Sequence, residues 1–254
     1  EKLEVIYRNA NRMNYLINEL LTFSKIEMKQ MHISVRKGDI MHFLEELSHI
    51  FDIVAGEREI DFIVSLEDTK EEVWFSPSKL ERILYNLLSN AFKYTQPGGY
   101  VRLSAKLIKE EKETMVQISV KDSGRGIPKD VQEQIFESYY QVEKRDHREG
   151  FGLGLSLTRS LIHMHKGEIR VESEVNKGSD FIVTLNVSED AYAPDERSSE
   201  NITTEEIQKY NQRIKETIEL IPEKLTNKEK DSGRESIMIV EDNKEMNDYL
   251  ASIF

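Results

Sequence analysis

The chain contains no cysteine. Disulfide bridges, thiolate-ligated zinc and a cysteine nucleophile are therefore excluded, and a reducing compartment is permitted. Long apolar runs are also missing. No stretch approaches the roughly 20 residues that cross a bilayer. The opening Glu1-Lys-Leu-Glu-Val-Ile-Tyr-Arg8 lacks the apolar segment of a secretory signal. Positive charge is in short supply: 35 Lys and Arg stand against 47 Asp and Glu, a net charge of −12. That balance argues against a general binder of nucleic acid or anionic membrane. What is present, 38% hydrophobic and 32% charged residues over 254 positions, suits one or two globular domains with real cores. The chain opens in mid-pattern without methionine and reads as a fragment.

Residues 1–30 read as one helix. Leu3, Ile6, Ala10, Met13, Ile17 and Leu20 recur at spacings of three and four, a stripe that wants a partner helix along its length. Leu16 and Leu21 widen it towards a bundle face. A short strand is expected at Ile33–Lys37. Asp39 is placed to cap a helix from Ile40 to about Ala55. Strands follow at Ile60–Leu66 and Val73–Phe75. Pro77 opens a helix at its first turn, running to about Tyr94. Pro97-Gly98-Gly99 breaks it, and alternation predicts an antiparallel pair at Tyr100–Ile108 and Met115–Lys121. A Gly-spaced section, Asp122–Gly154, precedes a helix at Leu155–His165 and strands at Glu168–Ser173 and Asp180–Val187. Segregated helices and strands predict an α+β fold, a two-layer sandwich with helices on one face of a mixed sheet. Residues 189–235 turn polar and read as a linker, with one helix possible between Asn201 and Leu220. At 236–254, Ile237-Met-Ile-Val240 begins a new buried strand.

Three constellations carry chemistry. Asn86, Asn90 and Lys93 lie at i, i+4 and i+7 of one helix and share a face. Carboxamides and an ammonium on one stripe can hold hydrated Mg²⁺ and phosphate oxygens; a solvated helix face shows the same pattern. Asp122-Ser-Gly-Arg-Gly-Ile-Pro128 follows a strand directly. Its carboxylate can accept from an exocyclic amine while glycines let backbone approach a ligand, although Asp and Ser are also ordinary turn formers. Gly150-Phe-Gly-Leu-Gly-Leu155 opens a helix, where N–H groups and the dipole favour phosphate. It matches neither the dinucleotide fingerprint nor the P-loop.

Order and distance join the three. The stretches LERILYNLLSNAFKYT, DSGRGIP, IFESYYQV, GFGLGLSLTRSLIHMHKGEIRVES and NKGSDFIVTL resemble the GHKL ATP-binding domain of sensor histidine kinases, over roughly Ile33 to Val187. The resemblance implies a catalytic domain at 31–188 that uses ATP and Mg²⁺. It implies that Asn90 ligates Mg²⁺ with Asn86 beside it, that Lys93 contacts phosphate, and that Tyr94 lies beside the nucleotide. Asp122 would read the adenine amino group, with Gly124, Gly126 and Ile127 shaping that wall. Phe136 to Tyr140 would anchor one end of a lid that Gly150, Gly152, Leu153 and Gly154 close over the phosphates. Ser179 would lie near adenine. The chain departs from the family at Ser76-Pro77, where an Asp-Pro pair is usual. It departs again at Ser138, where Arg or Pro is common; Lys144, Arg145 and Arg148 are candidate substitutes.

RNANRMNYLINELLTFSKIE resembles the second helix of the dimerisation and histidine-phosphotransfer hairpin. That implies a homodimer through the N-terminal helix of the intact protein, and an acceptor histidine on a helix not present here. None of His32, His42, His49, His147, His163 and His165 has the acceptor's surroundings; His163 and His165 read as packing or capping residues. IMIVEDNKEMNDYL resembles the start of a receiver domain, in which Glu241 and Asp242 would hold Mg²⁺. A hybrid kinase, the cytoplasmic part of a membrane-anchored sensor with no direct nucleic-acid contact, is the expectation. Two other classes remain. GHKL ATPases carry a water-activating Glu where this chain has Asn86, and an amide has no basic lone pair for that task. A non-catalytic nucleotide-binding dimer scaffold is the other.

Overall fold

The computed structural model describes residue 13 and residues 17–28, 30–111, 113–140 and 152–218. The expectations for Leu3, Ile6, Ala10, Leu16, Lys144, Arg145, His147, Arg148, Gly150, Glu241 and Asp242 lie outside the described residues. A helix (α1, residues 17–27) precedes β1 (Arg36–Asp39), α2 (Ile40–Ser48), α3 (Ile50–Arg58), β2 (Asp61–Leu66) and β3 (Glu72–Phe75). Then come α4 (Pro77–Tyr94), β4 (Tyr100–Lys109), β5 (Thr114–Asp122), α5 (Gly154–Met164), β6 (Glu168–Glu174), β7 (Gly178–Asn186) and α6 (Thr204–Ile218).

Five strands form one mixed sheet in the order β2-β4-β5-β7-β6, parallel only at β2–β4. Alternation along the strands sets which face is covered. Val101, Leu103 and Ala105 of β4, Val116, Ile118 and Val120 of β5, and Phe181, Val183 and Leu185 of β7 are buried beneath the helices. Arg102, Lys106 and Lys121, at the intervening positions, are exposed. The two-layer expectation is thus met, with one core containing Phe43, Leu44, Phe51, Leu84, Leu88, Phe92 and Leu161.

The Asp39 cap forms, its carboxylate accepting from the His42 N–H at 3.0 Å. The helix it starts does not run unbroken to Ala55. It is interrupted at His49 and continues as α3 to Arg58. The strand expected at Ile33–Lys37 begins three residues later, and it pairs with β3 in a separate two-stranded sheet instead of joining the main one.

The polar stretch read as a linker from residue 189 is, over its described part, packed on the domain. Tyr192 joins Ile33 and Val35 in a small second cluster. Ile207, Tyr210 and Ile214, one face of α6, are buried in the main core. The Tyr210 ring meets Phe43 at 5.9 Å, Arg36 pairs with Glu206, and Arg213 lies 3.9 Å from Glu81 of α4. Burial pushes the Glu81 carboxyl up to about 7, with Arg213 and Arg82 opposing. Three apolar anchors, each worth roughly 1.5–3 kcal/mol of burial, outweigh a composition that looks like a tether. No helix among the described residues is long and apolar enough to cross a membrane.

Candidate functional site

Helix α4 forms because its apolar positions, Leu80, Ile83, Leu84, Leu87, Leu88 and Ala91, repeat at helical spacing against the sheet. Pro77 occupies its first turn, where no N–H is needed. The opposite stripe places Asn86, Asn90 and Lys93 together, all half-buried. Asn86 already has a partner: its Nδ2 donates to Thr158 Oγ1 of α5 at 2.6 Å. Its Oδ1 lies where a Cβ on Gly154 would come within 2.6 Å. Asn86 is therefore wedged between α4 and the first turn of α5, and Asn90 and Lys93 are the two that carry the stripe onward. Lys93 Nζ sits 4.9 Å from the centre of the Tyr94 ring.

Asp122 ends β5 and is buried. Its carboxylate accepts from the Gly124 N–H at 2.8 Å. Burial raises its pKa to about 6, with hydrogen bonds from the Gly124 and Ser179 backbone opposing and Asp180 adding to the rise. A buried acceptor with few partners is suited to an incoming N–H donor. The turn after it is pressed against α4: a Cβ on Gly124 would stand 2.5 Å from the Tyr94 carbonyl oxygen. At Gly126, φ is +67° and a Cβ would meet the Glu174 carbonyl oxygen at 2.0 Å, so only glycine fits. Ser179 is Asp122's neighbour in the β5–β7 ladder, and the Ile127 N–H donates to Ser173 Oγ at 2.8 Å. Ser173 in turn donates to the Gly178 carbonyl at 2.9 Å and lies 2.9 Å from Ser179 Oγ.

The described residues on either side of the Gly-spaced segment meet each other. The Tyr139 N–H donates to the Gly152 carbonyl at 2.9 Å. Phe136 is buried edge-on against Phe181 with the Arg159 guanidinium 5.8 Å from its ring centre, so it acts as packing. Tyr139 is exposed and touches Phe23 of α1 at 6.2 Å. Leu153 is buried, and Gly154 opens α5 facing Asn86. Of α1, Glu19 and Thr22 face Arg82 of α4, while Ile17, Leu20 and Leu21 remain exposed.

Thus the fold brings Asn86, Asn90, Lys93, Tyr94, Asp122, Gly124, Gly126, Ile127, Gly152, Leu153, Gly154 and Ser179 to the margins of the α4–α5 and β5–β7 region. Sequence reasoning missed Arg125, whose guanidinium lies 4.5 Å from the Tyr94 ring centre, and Thr158, Ser173 and Gln132. Gln132 Nε2 donates to the carbonyls of Ile127 and Ser173 at 2.9 and 2.8 Å, bracing the glycine turn. Arg125 sits inside the Asp-Gly motif and was open to notice; the others act across strands and helices distant in sequence. Among the described residues, no group of three His, Cys, Asp or Glu side chains is placed to hold a metal ion. Asn90 offers a hard amide oxygen, a donor type that suits Mg²⁺.

Residues 75–189 match the family described as histidine kinase-, DNA gyrase B-, and HSP90-like ATPase. Histidine kinase P4 of Formosa agariphila is 31% identical over 263 aligned residues, covering 100% of this chain and 18% of that protein. Sensor histidine kinase WalK of Bacillus subtilis is 34% identical over 190 residues, 74% of this chain and 31% of its own. The chain thus spans about a fifth to a third of the length of these relatives. Among solved structures, full-length ShkA in complex with AMPPNP superposes with a TM-score of 0.65 at 24% identity, over 74% of this chain and 38% of that one. The catalytic domain of histidine kinase ThkA gives 0.53 at 25% identity, over 61% of this chain and 99% of its own.

Proposed function

We propose, from the match of residues 75–189 to the family described as histidine kinase-, DNA gyrase B-, and HSP90-like ATPase, that the whole protein moves the γ-phosphoryl group of MgATP to a histidine and then to a receiver aspartate. The observation that carries the reading is Asp122. A buried carboxylate at a strand end, held by the Gly124 N–H beside a glycine turn pressed onto α4, keeps acceptor capacity for a further donor. The adenine amino group is such a donor.

The chain's own residues divide the remaining work. Asn90 contributes an oxygen to Mg²⁺, and Lys93 neutralises phosphate charge. Tyr94, flanked by Lys93 and Arg125, lies beside the nucleotide, with Ile127 and Ser179 completing the adenine wall. Gly150, Gly152 and Gly154, with Leu153, let the lid approach the phosphates, where the start of α5 adds favourable dipole. Phosphoryl transfer asks the protein chiefly for positioning and charge neutralisation. Mg²⁺ supplies charge compensation on the phosphate oxygens. The nucleophile comes from a histidine on another helix. Asn86 has no basic lone pair and its amide nitrogen is committed to Thr158, which supports transfer over hydrolysis.

The exposed Ile17, Leu20 and Leu21 on α1 support a homodimer through that helix. A receiver domain begins at 236, with Glu241 and Asp242 as its Mg²⁺ ligands. The protein is then the cytoplasmic portion of a membrane-anchored sensor. Titration calorimetry of this chain with ATP and GTP, in Mg²⁺ and in EDTA, together with phosphate release, tests the reading. Mg²⁺-dependent binding that prefers ATP, without sustained hydrolysis, is expected. Steady turnover would identify a hydrolase, and no binding a scaffold.

A further inference from the structure

His165 is a buried titratable side chain that the chemistry above leaves unused. It is fully buried where α5 ends. Its Nδ1 lies 2.9 Å from the Leu161 carbonyl oxygen, one turn back, and its Nε2 lies 3.2 Å from the Ser76 backbone N–H. A carbonyl can only accept and a backbone N–H can only donate. The ring is therefore the neutral tautomer with its proton on Nδ1, and Nε2 is an acceptor. Burial lowers its pKa to about 4, in keeping with that form.

Ser76 is the residue just before α4, and its side chain makes no capping bond. Pro77 brings no N–H. The Ser76 N–H is buried, and the imidazole is its partner across 89 positions of sequence. The His165 carbonyl oxygen is held in turn by the Asn186 N–H at 3.2 Å and the Tyr192 hydroxyl at 3.3 Å. The His165 backbone is thus held by Asn186 and Tyr192 while its ring reaches the start of α4.

A second link joins the same two helices. Asn86 of α4 donates to Thr158 near the start of α5. The start of α4 meets the end of α5, and the middle of α4 meets the start of α5, so the helices run antiparallel. On α4 the two links stand about 15 Å apart along the axis. One polar contact leaves a pivot; two so far apart fix the crossing angle.

We propose that His165 is a positioning residue for the nucleotide cleft: its imidazole pins the start of α4 to the end of α5, and together with the Asn86–Thr158 bond it holds the Asn90 and Lys93 stripe at a set distance from the helix that Gly154 opens. The proposal rests on the nucleotide-binding reading for its consequence and on the hydrogen bonds alone for its existence. Its consequence is selective. Asn90, Lys93 and the start of α5 serve the phosphates, whereas Asp122 is carried by β5. Releasing the pin loosens phosphate contacts and leaves adenine recognition in place.

The test compares wild type, H165Q and H165N in the full chain. Glutamine carries its oxygen at the reach of Nε2 and can accept from Ser76; asparagine is too short. The expected outcome for H165N is MgATP binding about tenfold weaker, as a phosphate hydrogen bond is lost when the stripe shifts, with adenosine affinity unchanged. H165Q restores MgATP affinity to near that of wild type. Equal losses for adenosine and MgATP in H165N, or no loss for MgATP, overturn the proposal. Should H165N fail to fold, H165Q decides: wild-type MgATP affinity supports the pin, and a tenfold loss overturns it. Hydrogen exchange at the Ser76 amide and the ¹⁵N signature of the ring test the pin without nucleotide. Slow exchange and an Nδ1-protonated ring are expected in wild type, and a freely exchanging Ser76 amide overturns it. Wild type that binds neither ligand, yet keeps Ser76 protected, removes the nucleotide reading and leaves the pin standing.

Discussion

Replacing Asp122 with Asn removes the charge and keeps the shape, so it separates what the site costs the fold from what it does for a ligand. The Asp122 pKa rises from 3.8 to about 6, chiefly through burial. At about 1.4 kcal/mol per pH unit, the ionised group is about 3 kcal/mol less favourable in the folded than in the unfolded chain. The sign follows from linkage. The folded protein holds this proton at pH values where the unfolded chain has released it. Asp122 therefore imposes no penalty below pH 3.8, an increasing one up to about 6, and a constant one above. Asn keeps an oxygen for the Gly124 N–H, 2.8 Å away in wild type. It loses the acceptor facing the Ser179 backbone, which costs about 1 kcal/mol. Ligand-free Asp122→Asn is thus expected to be about 2 kcal/mol more stable than wild type near neutral pH, a gain that vanishes towards pH 4. ATP affinity should fall by at least about tenfold, since adenine loses its acceptor. Urea denaturation of both proteins at several pH values isolates this one group, because the other titrations cancel in the difference. Calorimetry supplies the affinity. A variant less stable than wild type at neutral pH, a difference that does not change with pH, or undiminished ATP binding would refute the reasoning.

Three further outcomes are expected. Asn90→Asp should change the Mg²⁺ dependence of nucleotide binding, because it adds charge at the metal. Asn86→Ala should instead cost about 1 kcal/mol of stability through the lost Thr158 bond; Mg²⁺ titrations and melting curves distinguish the two, and matching effects would reduce the stripe to a solvated face. Tyr210→Ala should cost about 3–5 kcal/mol, the usual range for truncating a buried aromatic, because α6 is packed into the core beside Phe43. A loss below about 1 kcal/mol by chemical denaturation would restore the linker reading of that segment.

Local pattern carried much of this protein. Helix α4 could be read from its own residues, because helical spacing puts Leu84, Leu88 and Ala91 on one side and Asn90 and Lys93 on the other. Alternation did the same for β4 and β5. The Asp39 cap and the Pro77 start rest on atoms a few positions away and were equally legible. Motif order then placed the Asp122 turn and the glycines. The tertiary structure decided what depends on distant partners. His165 looks like any residue near a helix end until Ser76 arrives from 89 positions away. The partner of the Asn86 amide nitrogen, Thr158, comes from 72 positions away and is invisible in the helix stripe. Ile207, Tyr210 and Ile214 are three apolar residues in a charged stretch, too few to announce a core; they became part of one because α2, α3 and α4 present a surface for them. A sequence displays the period of an element, since that repeats along the chain. A hydrogen bond or burial that needs two remote segments has no period, and only packing brings its halves together.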